Sequence, residues 1–207
     1  MKTLPKIVAL LASAAAAPAM AAGFTGVAAP ANFAVANTGT LIGGSPVVGT
    51  AVFSPTELTL TSSDTVSPDP PNFAPGCAGG AFGDMASPCQ IQAVLGHAGT
   101  YSFDWTYVTS DPTGPGGDIF GVVVDGVRTP LSDVGGPPAQ SGAGASFIAT
   151  SSFGWFLNCT DCIEGSATAT VSNFSTTAVP EPASYALLLA GGAAIAWARR
   201  RPSARRR

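Results

Sequence analysis

Thr100-Tyr-Ser-Phe-Asp-Trp-Thr-Tyr-Val108 alternates between polar and aromatic side chains along its whole length. Successive side chains of an extended strand point to opposite faces, so one face would carry every ring of this segment: Tyr101, Phe103, Trp105 and Tyr107. Strict alternation is typical of a half-buried strand. We therefore expect the aromatic stripe to lie in the core between two sheets. The competing hypothesis is an exposed platform on which sugars stack.

Further segments with strand patterning lie on both sides of this stripe, separated by turn-rich stretches. They are 47–53, 57–61, 90–95, 119–124, 145–150, 153–157 and 167–174. Asp125-Gly126 is typical of a two-residue hairpin turn leading into 127–129, and Gly135–Gly144 is predicted to be a mobile surface loop. The chain is thus predicted to be all-β, a single antiparallel β-sandwich of jelly-roll type over 22–176. A signal peptide and a C-terminal hydrophobic helix are expected to flank it.

The N-terminal residues have the three parts of a secretory signal. Lys2 and Lys6 supply positive charge, 7–17 is an unbroken apolar or small run, and Ala19-Met-Ala21 is a small-x-small cleavage pattern. We predict a signal peptide over 1–21, cleaved after Ala21, with the Sec translocon and signal peptidase as partners. A buried helix is the alternative, but the run lacks the polar face that such a helix normally shows.

The C-terminal residues combine three features in a fixed order. Pro180, Glu181 and Pro182 come first, the apolar stretch 185–198 follows, and arginines fill much of 199–207. The apolar stretch is shorter than the ~20 residues that comfortably span a bilayer. Positive flanks stay in the cytoplasm, so we expect cytoplasmic retention of this end by Arg199, Arg200 and Arg201.

This order of features resembles the PEP-CTERM sorting signal, whose parts would occupy 177–207 here. The resemblance implies processing by exosortase, a membrane protease-transpeptidase. It also implies a protein held transiently in the inner membrane of a Gram-negative bacterium and then delivered to the cell surface or extracellular matrix. The alternative is a plain single-span anchor with an accidental Pro-Glu-Pro.

Charge is distributed very unevenly along the chain. Arg128 is the sole lysine or arginine between Ala22 and Pro182, whereas all twelve acidic residues lie there, for a net charge of −11. So acidic a segment repels phosphate backbones, which excludes ordinary nucleic-acid binding.

The cysteines fit an oxidising compartment. Loop length favours two local disulfides, Cys77–Cys89 and Cys159–Cys162. A four-cysteine zinc site is the alternative, although only the second pair has tight ligand spacing. A redox role for Cys159-Thr-Asp-Cys162 would want a βαβ context, and none is visible.

Aspartates recur every seven residues at Asp104, Asp111, Asp118 and Asp125. Calcium takes six to eight oxygen ligands, so these four are candidate Ca²⁺ ligands. Their spacing is not that of an EF-hand, and we expect solvated turn aspartates and no cofactor.

Enzyme signatures are sparse. His97 is the sole histidine, flanked by glycines in a predicted turn, and the sequence contains neither a Gly-x-Ser-x-Gly elbow nor a His-Glu-x-x-His helix.

Trp155 and Phe156 are neighbours, so on a strand they face opposite ways, and one of them is a candidate ligand-facing side chain.

We therefore expect a non-catalytic exported surface or extracellular-matrix protein, associated with exopolysaccharide or biofilm and attached to the membrane through its C-terminal helix. The first alternative is a carbohydrate-binding β-sandwich module, and the second is a secreted hydrolase.

Overall fold

A computed structural model describes residues 20–41, 44–64, 76–79, 87–160, 162, 165–178 and 190–194. These residues form eleven strands: β1 (Met20–Ala22), β2 (Phe33–Thr38), β3 (Thr50–Phe53), β4 (Leu58–Thr61), β5 (Gln90–Leu95), β6 (Gly99–Thr109), β7 (Phe120–Val124), β8 (Val127–Pro130), β9 (Ala139–Ala149), β10 (Phe153–Asn158) and β11 (Ala167–Ala178). Three short 3-10 turns accompany them: Gly26–Ala28, Pro30–Asn32 and Gly114–Gly116.

The strands form two antiparallel sheets. Sheet A has the order β3-β4-β11-β6-β9, with β1 as an additional partner of β11. Sheet B has the order β2-β5-β10-β7-β8. One hydrophobic core contains buried residues from both sheets, so the predicted all-β antiparallel sandwich is confirmed.

The aromatic stripe of β6 is the sheet A side of this core. Tyr101 stacks on Phe153 of β10, with 4.3 Å between ring centroids. Phe103 meets Trp155 edge-on at 5.4 Å. All four rings of the stripe are buried, and such aromatic pairs add stability beyond the area they bury. The core interpretation of the stripe is confirmed, and these rings do not form a sugar platform.

The predicted hairpin is present between β7 and β8. Val124 pairs with Val127, and both turn residues have positive φ, 51° at Asp125 and 82° at Gly126. Positive φ at both central positions is the requirement of a type I′ turn, whose twist matches that of the flanking strands.

The predicted loop Gly135–Gly144 is wrong over its second half, because residues 139–144 belong to β9. This edge strand pairs with β6 from Val108↔Ala139 to Gly99↔Ala149. Its Gly/Ala/Ser composition is typical of loops, but the long neighbouring strand offers a full row of hydrogen-bond partners. At Gly142 an added Cβ would lie 2.4 Å from Trp105 Nε1, so glycine is needed there.

Two strands were not predicted. β1 is only three residues long, and β2 contributes one buried side chain, Phe33, followed by small or exposed residues. The side-chain amide of Asn37 links β2 to the residue directly before β3. Asn37 Nδ2 donates to Gly49 O at 3.0 Å, and Gly49 N donates to Asn37 Oδ1 at 2.9 Å.

Trp105→Ala should lower the free energy of unfolding by about 3–5 kcal/mol, because truncating a large buried ring leaves a cavity. Val127→Ala is the control, since Val127 is 66% exposed and should change stability by no more than about 0.5 kcal/mol. Urea unfolding measures both. Equal losses in the two variants would contradict a core position for Trp105.

Candidate functional site

The junction between the sandwich and the C-terminal tail lies at the end of β11. On one side β11 pairs with β6, as far as Ala178↔Gly99. On the other side it pairs first with β4, over Thr168–Val171, and then with β1. Because β1 and β11 are antiparallel, the chain enters β1 and leaves β11 at the same end of sheet A, about 5 Å apart.

An aromatic stack fixes this junction to the core. Phe24 follows β1 and stacks on Phe174 of β11, with centroids 5.0 Å apart and ring planes 16° apart. Gly23 N donates to Phe174 O at 2.7 Å. Gly23 has φ of 68°, and a Cβ there would lie 2.4 Å from Pro55 O, so this close approach requires glycine. Both ends of the described domain are therefore held on the same core contacts.

Asp104 stabilises irregularities in the two strands that flank β6. Its carboxylate accepts hydrogen bonds from Asn173 Nδ2 and Gly144 N, each at 2.7 Å. Asn173 and Gly144 both have positive φ, and the register of β11 shifts between Ser172 and Ser175. The two donors favour the ionised carboxylate and so lower the pKa of Asp104.

Asp125 fastens the β7–β8 turn to the neighbouring β9–β10 connection. Its carboxylate accepts hydrogen bonds from the backbone N–H groups of residues 150, 151 and 152 and from the hydroxyls of Thr150 and Ser151. Donation to the ionised form lowers the pKa of Asp125 far below its ordinary value. This aspartate acts as an intramolecular clamp.

Asp111 and Asp118 are buried, at 5% and 1% exposure, so the expectation of solvated turn aspartates is wrong for both. They share a neighbour, since Thr109 Oγ1 donates to Asp118 Oδ2 at 3.2 Å and accepts from Asp111 N at 3.1 Å. Asp111 Oδ1 accepts from Thr113 N at 2.7 Å. Burial is the main cause, and the charge of Asp118 the second, of the raised pKa of Tyr107, whose hydroxyl donates to Asp118 O.

The four candidate calcium ligands thus take part in three separate networks, around Asp104, around Asp125 and around the Asp111–Asp118 pair. Within the described ranges, no group of three or more His, Cys, Asp or Glu side chains is placed to hold a metal ion. The seven-residue spacing places these residues in and around β6 and β7, but it does not bring the four carboxylates together.

Both predicted disulfides are present, Cys77–Cys89 and Cys159–Cys162. The four cysteines pack into one small cluster with Leu41 and Val47. Cys159 N donates to Cys89 O at 3.0 Å, which joins the two pairs through the backbone. The Cys159–Cys162 pair precedes the first residue of β11, so the cluster lies at the opposite end of the sandwich from the junction.

The expectation that Trp155 or Phe156 faces a ligand is wrong, because both side chains are fully buried. They do face opposite ways. Trp155 packs in the core between the sheets, whereas Phe156 packs on the outer side of sheet B with Ile119 and Val123. The Arg128 guanidinium covers the Phe156 ring at 5.7 Å from its centroid. A second small apolar cluster outside the sandwich is not detectable from strand alternation.

The predicted sorting residues Pro180, Glu181 and Pro182 lie outside the described residues, as do Arg199, Arg200, Arg201 and Ala19. Ala21, the other cleavage-site residue, lies in β1. Residues 190–194 are helical. Among the described parts of the chain, no helix has the length and hydropathy needed to cross a membrane.

The tail matches a known family model. The PEP-CTERM protein-sorting motif covers residues 178–201, which begins at the last residue of β11. The chain therefore carries the sorting signal that defines PEP-CTERM proteins, as the sequence predicted.

Other comparisons are distant. Among curated proteins, none matches the chain. Two similar solved structures are family 29 carbohydrate-binding modules. One, a mutant of CBM29-2 complexed with mannohexaose, is 6% identical, with a TM-score of 0.30 over 70% of this chain and 92% of that chain. The other is 5% identical, with a TM-score of 0.29 over 70% and 88%. Likenesses this low say nothing about what this chain binds.

Asp125→Asn should lower the melting temperature by several degrees at pH 7. Since the folded-state pKa of Asp125 lies below the ordinary aspartate value of 3.8, its stabilising effect is complete above about pH 4 and is lost as the pH falls further. The difference between wild type and variant should therefore shrink in acid. Glu57→Gln, in the exposed β3–β4 turn, is the control. A difference that is constant from pH 7 to pH 2 would contradict the clamp.

Replacing Cys77 and Cys89 together by serine should cost about 3 kcal/mol of unfolding free energy, from the loop-closure entropy of a separation of 12 residues. The Cys159–Cys162 disulfide closes a much shorter loop, with a separation of 3 residues. Its matched double variant should therefore cost less, about 2 kcal/mol of unfolding free energy. Denaturant unfolding compares them. Four free thiols in protein taken from the cell envelope would contradict both pairings.

Proposed function

We propose that this chain is a non-catalytic protein that is exported, processed at its C-terminal motif by an exosortase-like enzyme, and delivered to the cell surface or extracellular matrix. The observation that carries the proposal is the sorting motif over 178–201. A Gram-negative cell that secretes exopolysaccharide is the setting that we infer for it.

The tail has the order of parts that such processing needs. The apolar stretch 185–198 can enter a membrane, and the arginines of 199–207 would keep the far end in the cytoplasm. Only residues 179–184 separate the end of β11 from this stretch, and six extended residues reach about 20 Å. The sandwich would therefore stay close to the outer face of the membrane until the tail is cut.

The relation between the two ends supports a single domain that folds after export. The predicted signal ends at Ala21, within β1, the sorting motif begins at the last residue of β11, and these two strands are paired. Two membrane-directed segments that leave one end of the sandwich can both enter the same bilayer without distorting the domain. The disulfides agree with this setting, because they form and persist in oxidising compartments.

The non-catalytic part of the proposal is supported by the use of the polar side chains. Asp104 accepts two hydrogen bonds beside the β11 irregularity and Asp125 accepts six in the β9–β10 connection, while Asp111 accepts hydrogen bonds from its own loop. His97 lies in the short β5–β6 connection, where its carbonyl accepts from the Tyr101 hydroxyl at 2.6 Å. The aspartate side chains thus stabilise the local backbone, and the contact at His97 is made by its main chain.

Carbohydrate binding by the sandwich has less support. Sugar platforms use exposed aromatic rings, whereas every aromatic ring in the described part of the chain is buried or packed against the core. A glycan-binding screen on the released protein separates the two functions. Binding that saturates at micromolar glycan would favour the carbohydrate-binding module.

Glu181→Ala should leave export intact and block cleavage of the tail, so that uncut protein accumulates in the membrane. A simple stop-transfer helix needs only hydrophobicity and flanking charge, and it would not respond to this change. Glu57→Ala is the matched control, an exposed acid outside the motif that should be processed normally. Intact-mass measurement of membrane and released fractions detects the difference. Equal processing of both variants would contradict recognition of the motif.

A further inference from the structure

Strand β1 covers the edge of β11 directly before the sorting motif. Met20, Ala21 and Ala22 pair with Thr177, Thr176 and Ser175. The other strand on this side, β4, reaches only from Thr168 to Val171. In the described part of the chain, β1 is therefore the strand that occupies the hydrogen-bonding edge beside 175–177, and the motif begins at the next residue.

The predicted signal cleavage divides this strand. A cut after Ala21 removes Met20 and Ala21, the partners of Thr177 and Thr176, and leaves Ala22 as the new N-terminus. The contacts that anchor this end remain, since Phe24 still stacks on Phe174 and Gly23 N still donates to Phe174 O. Cleavage thus uncovers a short strand edge and leaves the fold of the domain unchanged.

We infer that this uncovered edge, Thr176–Thr177, is where the sorting enzyme pairs with its substrate, so that removal of the signal peptide permits processing of the tail. The inference rests on the proposed function. Proteins commonly bind an extended segment by adding a strand to a free edge, with main-chain hydrogen bonds supplying affinity. An edge already paired with β1 has its N–H and C=O groups in use and cannot accept a second strand.

The edge also lies in the right place for this partner. It is continuous with residue 178, the first residue of the motif, and it lies on the side of β11 opposite β6. An enzyme paired there would hold the following residues extended. The two processing events then have an order, in which the signal is cut first and the tail second.

The test joins one heterologous signal peptide to the full chain at either of two points. One mature protein begins at Ala22 and the other at Met20, so they differ only in the residues that complete β1. In cells with the sorting enzyme, the Met20 chain should lose its tail roughly tenfold more slowly, the factor for about 1.4 kcal/mol of edge pairing. Pulse-chase labelling with intact-mass analysis measures the rate.

A third chain begins at Met20 and carries Ala21→Pro. Ala21 lies two residues before Gly23, so its N–H faces β11 as that of Gly23 does, and proline removes this donor. Its tail should be processed at the rate of the Ala22 chain. Hydrogen exchange on the released proteins should show slower exchange at Thr176, whose N–H faces Ala21, in the Met20 chain than in the Ala22 chain.

Equal processing of the Met20 and Ala22 chains overturns the inference, whether or not the exchange rates differ. Slow processing of the Ala21→Pro chain also overturns it, because the delay would then come from the two extra residues and not from pairing. If no chain is processed, the proposed function itself fails, and the inference fails with it.

Discussion

The structure depends on the backbone hydrogen bonds along both edges of β11, the strand that continues directly into the tail. On one edge β11 pairs with β6 over almost its whole length, and on the other it pairs with β4 and then β1. The same strand ends at the first residue of the sorting motif. The tail therefore continues from the central strand of sheet A, which is paired on both sides.

The core makes this arrangement rigid. Rings from β6 and β10 interlock between the sheets, and Phe174 of β11 joins them through Trp155 at 5.2 Å and Tyr101 at 6.1 Å. Phe24 brings the N-terminal end onto the same cluster. A domain with such a core, and with disulfides at its other end, suits the exported protein that we propose, which would be processed at both of its termini.

Much of the fold could be predicted, because alternating polarity and a tight turn are local signals. Local signals predicted the stripe of β6, the Asp125-Gly126 hairpin and both disulfides. β1 and the first half of β9 were missed because short or Gly/Ala/Ser-rich segments become strands only through the neighbour that they pair with. The burial of Phe156 and of Asp111 was missed for a related reason, since loops and Arg128 cover them from outside the sheet.

The sorting tail could be predicted from its order of parts, but its relation to β1 could not, because that depends on the register between strands about 150 residues apart in the chain. The central claim is that this protein is exported and then cut at the motif. Intact-mass measurement of wild-type protein recovered from the cell surface or matrix tests it most directly. The account predicts a chain that starts at Ala22 and lacks Arg207. Recovery of surface protein that still ends in Arg207, in cells that contain the sorting enzyme, would contradict it.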